Sequence, residues 1–263
     1  MKLLIIVFAV FMLAFGWNSG LTQTTDFSKQ VYNSGEELTY KVKWTFIRVG
    51  TLRLLNEGPR YYEGKEYFKI QLTLDSAPGV PFITLHDVYE CYVDSNSVPA
   101  TFFAWEKKDD HTIRTIYRFN YEDSLATVSV TKLYPTRQEP VKEMQLPLDD
   151  VYRDILSLLY YARQLSAEKQ ENMVIPTFVL EGKDSCYFNQ TGNLQEIDYN
   201  DKKADAYYLQ GKVKFIGIAG IKDDFEGWFS SDPQRVPLKA KMKAFFGSVT
   251  LELEDYKNWQ GQP

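Results

Sequence analysis

Residues 38–46 place Leu38, Tyr40, Val42, Trp44 and Phe46 at every second position, with mostly polar side chains between them. A strand half-buried in a sheet satisfies that period and a helix does not. Similar strand-like runs cover residues 51–55, 67–74, 83–93, 101–107, 113–121 and 124–134, at spacings of about 8 to 12 residues. Glu57-Gly58-Pro59 and Glu63-Gly64-Lys65 supply turn chemistry between the early runs. Such a chain folds as an antiparallel meander that curls into a barrel or sandwich.

The period changes once. Val151, Ile155, Leu158, Leu159, Ala162 and Leu165 recur at three- and four-residue steps behind Asp149 and Asp150, either of which can cap free N–H groups. This predicts one amphipathic helix over 151–165 that plugs an opening of the sheet, with Arg153 and Arg163 off its apolar stripe and Tyr160 and Tyr161 widening the buried face. A polar linker at 166–172 follows, and strands resume at 174–180, 185–190, 206–216, 224–229, 238–244 and 248–253. The expected class is mainly β: a curved antiparallel sheet or open β-barrel with one amphipathic helix packed across it. Residues 21–263 are expected to form a single domain, with 166–172 as the alternative point of division into two lobes.

Residues 1–20 read as a signal peptide, with Lys2 before an apolar run over residues 3–15 and Gly16, Asn18, Ser19 and Gly20 closing it. The run falls short of the roughly 18 to 20 residues that span a bilayer, so the mature chain is expected to be periplasmic or extracellular, without a stable membrane span. Thirty basic against 35 acidic side chains leave a net charge of −5. No segment concentrates Lys and Arg, so neither nucleic acid nor anionic lipid is an expected partner. An oxidising compartment permits a Cys91–Cys186 bridge, and two separately buried thiols are the alternative.

Tests for chemistry give little. The histidines are His86 and His111. Strand alternation puts His86 and Glu90 on one face, so a metal set would need His111 from a neighbouring strand. The other reading makes His86 a strand residue with an ordinary hydrogen-bond partner and His111 the cap of an exposed hairpin. No Gly-x-Ser-x-Gly string occurs, and Gly217-Ile218-Ala219-Gly220 lacks the Lys-Ser/Thr of a phosphate loop. Asn189-Gln190-Thr191 fits a glycosylation sequon. No catalytic residue, metal or cofactor is assigned. Aromatic content stands out instead, with 17 Phe, 18 Tyr and 5 Trp. Most fill a β core, but Trp44, Phe46, Phe103 and Trp105 fall where rings could line a concave ligand-binding surface.

Three segments arrive in an order that resembles a known family: Gly35-Glu36-Glu37-Leu38-Thr39-Tyr40 with Trp44 and Gly50, then residues 154–163, then residues 228–237. Asp87, Tyr89, Asp94 and Pro99 add to the likeness, which covers roughly residues 30–255. The chain resembles the DUF3108 family, exported bacterial proteins of unknown function. The resemblance implies an exported β-rich fold and supplies no catalytic residue. Within its segments Arg163, Trp228, Asp232 and Arg235 join the candidate ligand-binding residues, while Asp232 and Arg235 could instead pair with each other across a rigid turn.

Three functional readings follow. The leading one is a non-enzymatic envelope protein holding an apolar, lipid or glycan ligand in its concave sheet. The others are a carboxylate-based envelope hydrolase and a structural or assembly module that binds another protein.

Overall fold

The computed structural model describes residues 30–79, 85–213, 223–243 and 247–261; the expected leader lies outside them. The first half of the chain forms β1 (Glu37–Trp44), β2 (Ile47–Tyr62), β3 (Lys65–Ser76), β4 (His86–Val93), β5 (Pro99–Lys107), β6 (Thr112–Asn120), β7 (Leu125–Leu133) and β8 (Gln138–Pro147). Helix α1 (Ile155–Leu165) follows, then β9 (Lys169–Val179), β10 (Gly182–Tyr199), β11 (Lys202–Val213), β12 (Asp223–Ser230), β13 (Pro237–Lys243) and β14 (Ser248–Lys257). All fourteen join one antiparallel sheet in the order 8-7-6-5-4-3-2-1-14-13-12-11-10-9. Two meanders thus meet where β1 pairs with β14, Glu37 opposite Lys257 and Trp44 opposite Val249.

The sheet does not close by strand pairing, because β8 and β9 lie at its two edges. The chain between them bridges the gap. Arg153 is extended and pairs with β9, its N–H donating to the Pro176 carbonyl at 3.1 Å and its carbonyl accepting from Phe178 N–H at 2.8 Å. Lys142 reaches Glu181 at 2.8 Å and Lys183 reaches Asp149 at 2.7 Å, tying the two margins together at the surface.

The helix therefore starts later than its apolar spacing suggests. Arg153 is spent on the edge of β9, and the cap is Asp154, neither Asp149 nor Asp150. Asp149 instead accepts from Tyr152 Oη, and Asp150 from the Val151 amide. From Asp154 the helix is buried around most of its girth. Leu156 and Tyr160 pack with Leu38, Tyr40 and Tyr89, whereas Leu158 and Ala162 pack with Ile175, Cys186, Phe188, Leu209 and Phe229. Lying between the two arms, α1 fills the concave side rather than roofing it. Leu156, Leu158, Tyr160 and Ala162 are each buried among side chains of the two arms. Cys91 and Cys186 are both free and buried.

Candidate functional site

The three segments that carry the family resemblance meet at one point. Arg163 sits at 0% and Glu36 at 1% side-chain exposure, joined by two parallel bonds, Nη1 to Oε1 at 2.7 Å and Nη2 to Oε2 at 2.9 Å. Nε and Nη2 also donate to the Gln234 carbonyl at 3.2 and 2.8 Å. Tyr40 Oη donates to the Pro237 carbonyl at 2.9 Å, and the Tyr160 ring lies 4.8 Å below the guanidinium. Burial alone would pull the Arg163 pKa down; the Glu36 carboxylate and Tyr160 outweigh it and hold the group above its ordinary value. The motif is a clamp that fastens the chain before β1 and the β12–β13 turn to the helix. Arg163 does not lie off the packed face, and its contacts are structural.

At the other end of α1, Asp154 is also wholly buried. It accepts from Leu156 N at 2.8 Å, Ser157 N at 3.1 Å, Ser157 Oγ at 2.8 Å and Cys91 Sγ at 3.0 Å. Burial raises its pKa, with those bonds acting in the opposite direction. A carboxyl whose folded pKa is raised binds more protons folded than unfolded, so it removes stability as pH climbs from its unfolded pKa through its folded one. Asp154→Asn keeps a capping oxygen and loses the ionisation. Urea titrations should show a wild-type decline over that window which the variant lacks; parallel pH profiles would refute the assignment.

The other residues expected to bind ligand are dispersed. Trp44 and Phe46 stand at the β1–β2 hairpin tip, Phe46 82% exposed. Phe103 and Trp105 share the face of β5 opposite core residues Phe102 and Ala104, their rings 5.6 Å apart, with Tyr92 6.5 Å from Phe103. Trp228 is half-buried against Tyr208 at 5.5 Å. Asp232 and Arg235 do not pair through their side chains. Asp232 accepts from Gln234 N at 2.8 Å and Trp259 Nε1 at 3.1 Å, and Arg235 donates to the Ser231 and Asp232 carbonyls with its guanidinium 4.6 Å above the Tyr207 ring. Both are consumed in shaping the turn. The His86, Glu90 and His111 set does not assemble: His86 bonds Asp75 at 2.6 Å, Glu90 meets Lys69 at 3.3 Å, and His111 bonds Asp110 at 2.6 Å. Among the described residues no acidic, His or Cys group could hold a metal.

What the sequence did not single out as a binding site is a cleft of about 510 Å³ on the β9–β11 arm, whose lining includes Asn189, Gln190, Thr191, Asn193, Tyr208 and Gln210. It forms where the β10–β11 register slips between Gln190 and Leu194. Asn189 Oδ1 is fixed by the Asn172 amide at 2.6 Å. Gln190 is 2% exposed, yet neither its Oε1 nor its Nε2 has a protein partner. Buried amides left unpaired are uncommon and point to something polar beside them. The only sequence signal was the Asn-Gln-Thr tripeptide, read there as a sequon.

The sequence profile of the family described as "Protein of unknown function (DUF3108)" matches residues 39–254. No curated protein matches the chain. Among solved structures the chain is similar to a β-barrel-like protein of domain of unknown function DUF1849 from Brucella abortus, with TM-score 0.56, 11% identity, and coverage of 86% of this chain and 98% of that one. It is also similar to a protein with a YmcC-like fold from Bacteroides fragilis NCTC 9343, with TM-score 0.36, 9% identity, and coverage of 86% and 96%. The first likeness, at that identity, concerns the fold alone: β-barrel-like, as the open fourteen-stranded sheet is. Since the profile spans most of the chain, the chain belongs to the DUF3108 family.

Proposed function

We propose that this is an exported, non-enzymatic envelope protein that binds a glycan in the amide-lined cleft of β9–β11. The observation that carries the reading is Gln190, a residue of the cleft lining whose buried side-chain amide has no protein partner. Asn189, Asn193, Gln210 and Thr191 also line the cleft with hydroxyl-matching groups, and Tyr208 adds a ring. Lys169 and Glu171 complete the lining, and polar groups of this kind suit a polyhydroxylated ligand. Glu36, Arg163 and Asp154 are taken up by structural partners. The leader sequence supports export to the periplasm or beyond.

Calorimetric titration with soluble oligosaccharides, including peptidoglycan fragments, tests this. Wild type should bind at least one of them, and Gln190→Leu should weaken that binding by about tenfold or more. The same substitution should raise the stability of the free protein by about 1 kcal/mol, because it removes an unsatisfied amide at similar volume. A variant that is destabilised and binds as before would show that the amide serves packing.

A further inference from the structure

The β1–β2 hairpin ends in three bulky apolar side chains in a row of exposure: Trp44 at 43%, Phe46 at 82% and Ile47 at 54%. A tip of this kind is rare without a use, since water gains nothing from it. We propose that it is a lipid anchor, Phe46 and Ile47 entering the headgroup–acyl boundary of a bilayer with Trp44 at the interface. The tip is held firmly. Thr45 N donates to the Ser248 carbonyl at 2.7 Å, and Gly247 presses so close that a Cβ there would lie 2.5 Å from Thr45 Oγ1. The Thr45 amide is therefore satisfied within the protein, as an apolar medium demands of backbone.

The charges behind the tip are engaged with carboxylates. Arg48 forks onto Glu254 with two bonds of 2.8 Å, and Glu252 is shared by Lys43 at 2.8 Å, Lys41 at 3.3 Å and Lys239 at 3.6 Å. The tip residues Trp44, Thr45, Phe46 and Ile47 carry no charge themselves, which suits apolar insertion. Its size also argues for lipid. Three such side chains expose at most roughly 500 Å², against about 800 Å² per partner in a stable protein–protein interface. A bilayer needs no complementary surface.

Flotation of the exported chain, its processed N-terminus fixed by intact mass, tests the proposal on phosphatidylcholine vesicles and on phosphatidylethanolamine–phosphatidylglycerol vesicles. Wild type should float with both at about millimolar lipid, and the Phe46→Ser, Ile47→Ser double variant should lose at least tenfold in partitioning with its circular dichroism unchanged. Equal flotation of the variant, no flotation of wild type, or flotation only on the anionic vesicles would each overturn the proposal. So would light scattering that showed a lipid-indifferent dimer broken by the double substitution, which would assign the tip to a second copy.

Discussion

Arg163→Ala should lower the free energy of unfolding by about 3 to 5 kcal/mol, the usual cost of leaving one member of a buried ion pair behind. The alanine strands the Glu36 carboxylate at 1% exposure and releases the Gln234 carbonyl, so the chain before β1 and the β12–β13 turn both lose their hold on α1. Domains have about 5 to 15 kcal/mol to lose, and in a chain of this length the change corresponds to a fall in Tm of roughly 10 °C. Pairing Arg163→Met with Glu36→Gln should recover at least half the loss, because no buried charge then remains unpaired. Urea denaturation of Arg163→Met, Glu36→Gln and their double variant closes the cycle. A cost below about 1 kcal/mol for Arg163→Ala would mean that the clamp does not hold the fold.

Phe178→Ala should be comparably damaging, at about 3 to 5 kcal/mol, and should act at a different place. Phe178 is wholly buried on edge strand β9, but its ring meets Tyr117 at 5.0 Å and Phe119 at 5.3 Å on β6, and Tyr152 at 6.3 Å. β6 is third from the opposite edge of the sheet. These edge-to-face contacts close by packing the seam that strand pairing leaves open. Amide exchange should accelerate first in β9 and in residues 148–154, while the β1–β14 ladder changes least. Uniform acceleration through all strands would argue against a separately held seam.

The strands with one buried face were legible from alternation alone. β8 was not: the edge strand carries Pro140 and Pro147 and is exposed along most of both faces, so no period is imposed on it. The second half of β10 is likewise too polar to read, and the turn chemistry of Gly58-Pro59 turned out to be a register slip within β2. For Arg163 local spacing could not suffice. Its position on the helix said nothing about a carboxylate 127 residues earlier in the chain, and only that partner makes burying a guanidinium tolerable. Phe103 and Trp105 posed another ambiguity, because rings occupy both faces of β5 and the period does not say which face meets the core. Gln190 gave no warning, since a glutamine at a strand position reads as surface until its neighbours are known.

The pairing of the first strand with the last has a consequence for biogenesis. A chain emerging N-terminus first offers β1 with one ladder side vacant until Ser248–Lys257 appear, so the middle of the sheet is completed after its margins could form. During that interval the exposed side is open to mispairing with other nascent chains. Loss of β14 would therefore split the sheet at its centre instead of trimming its border.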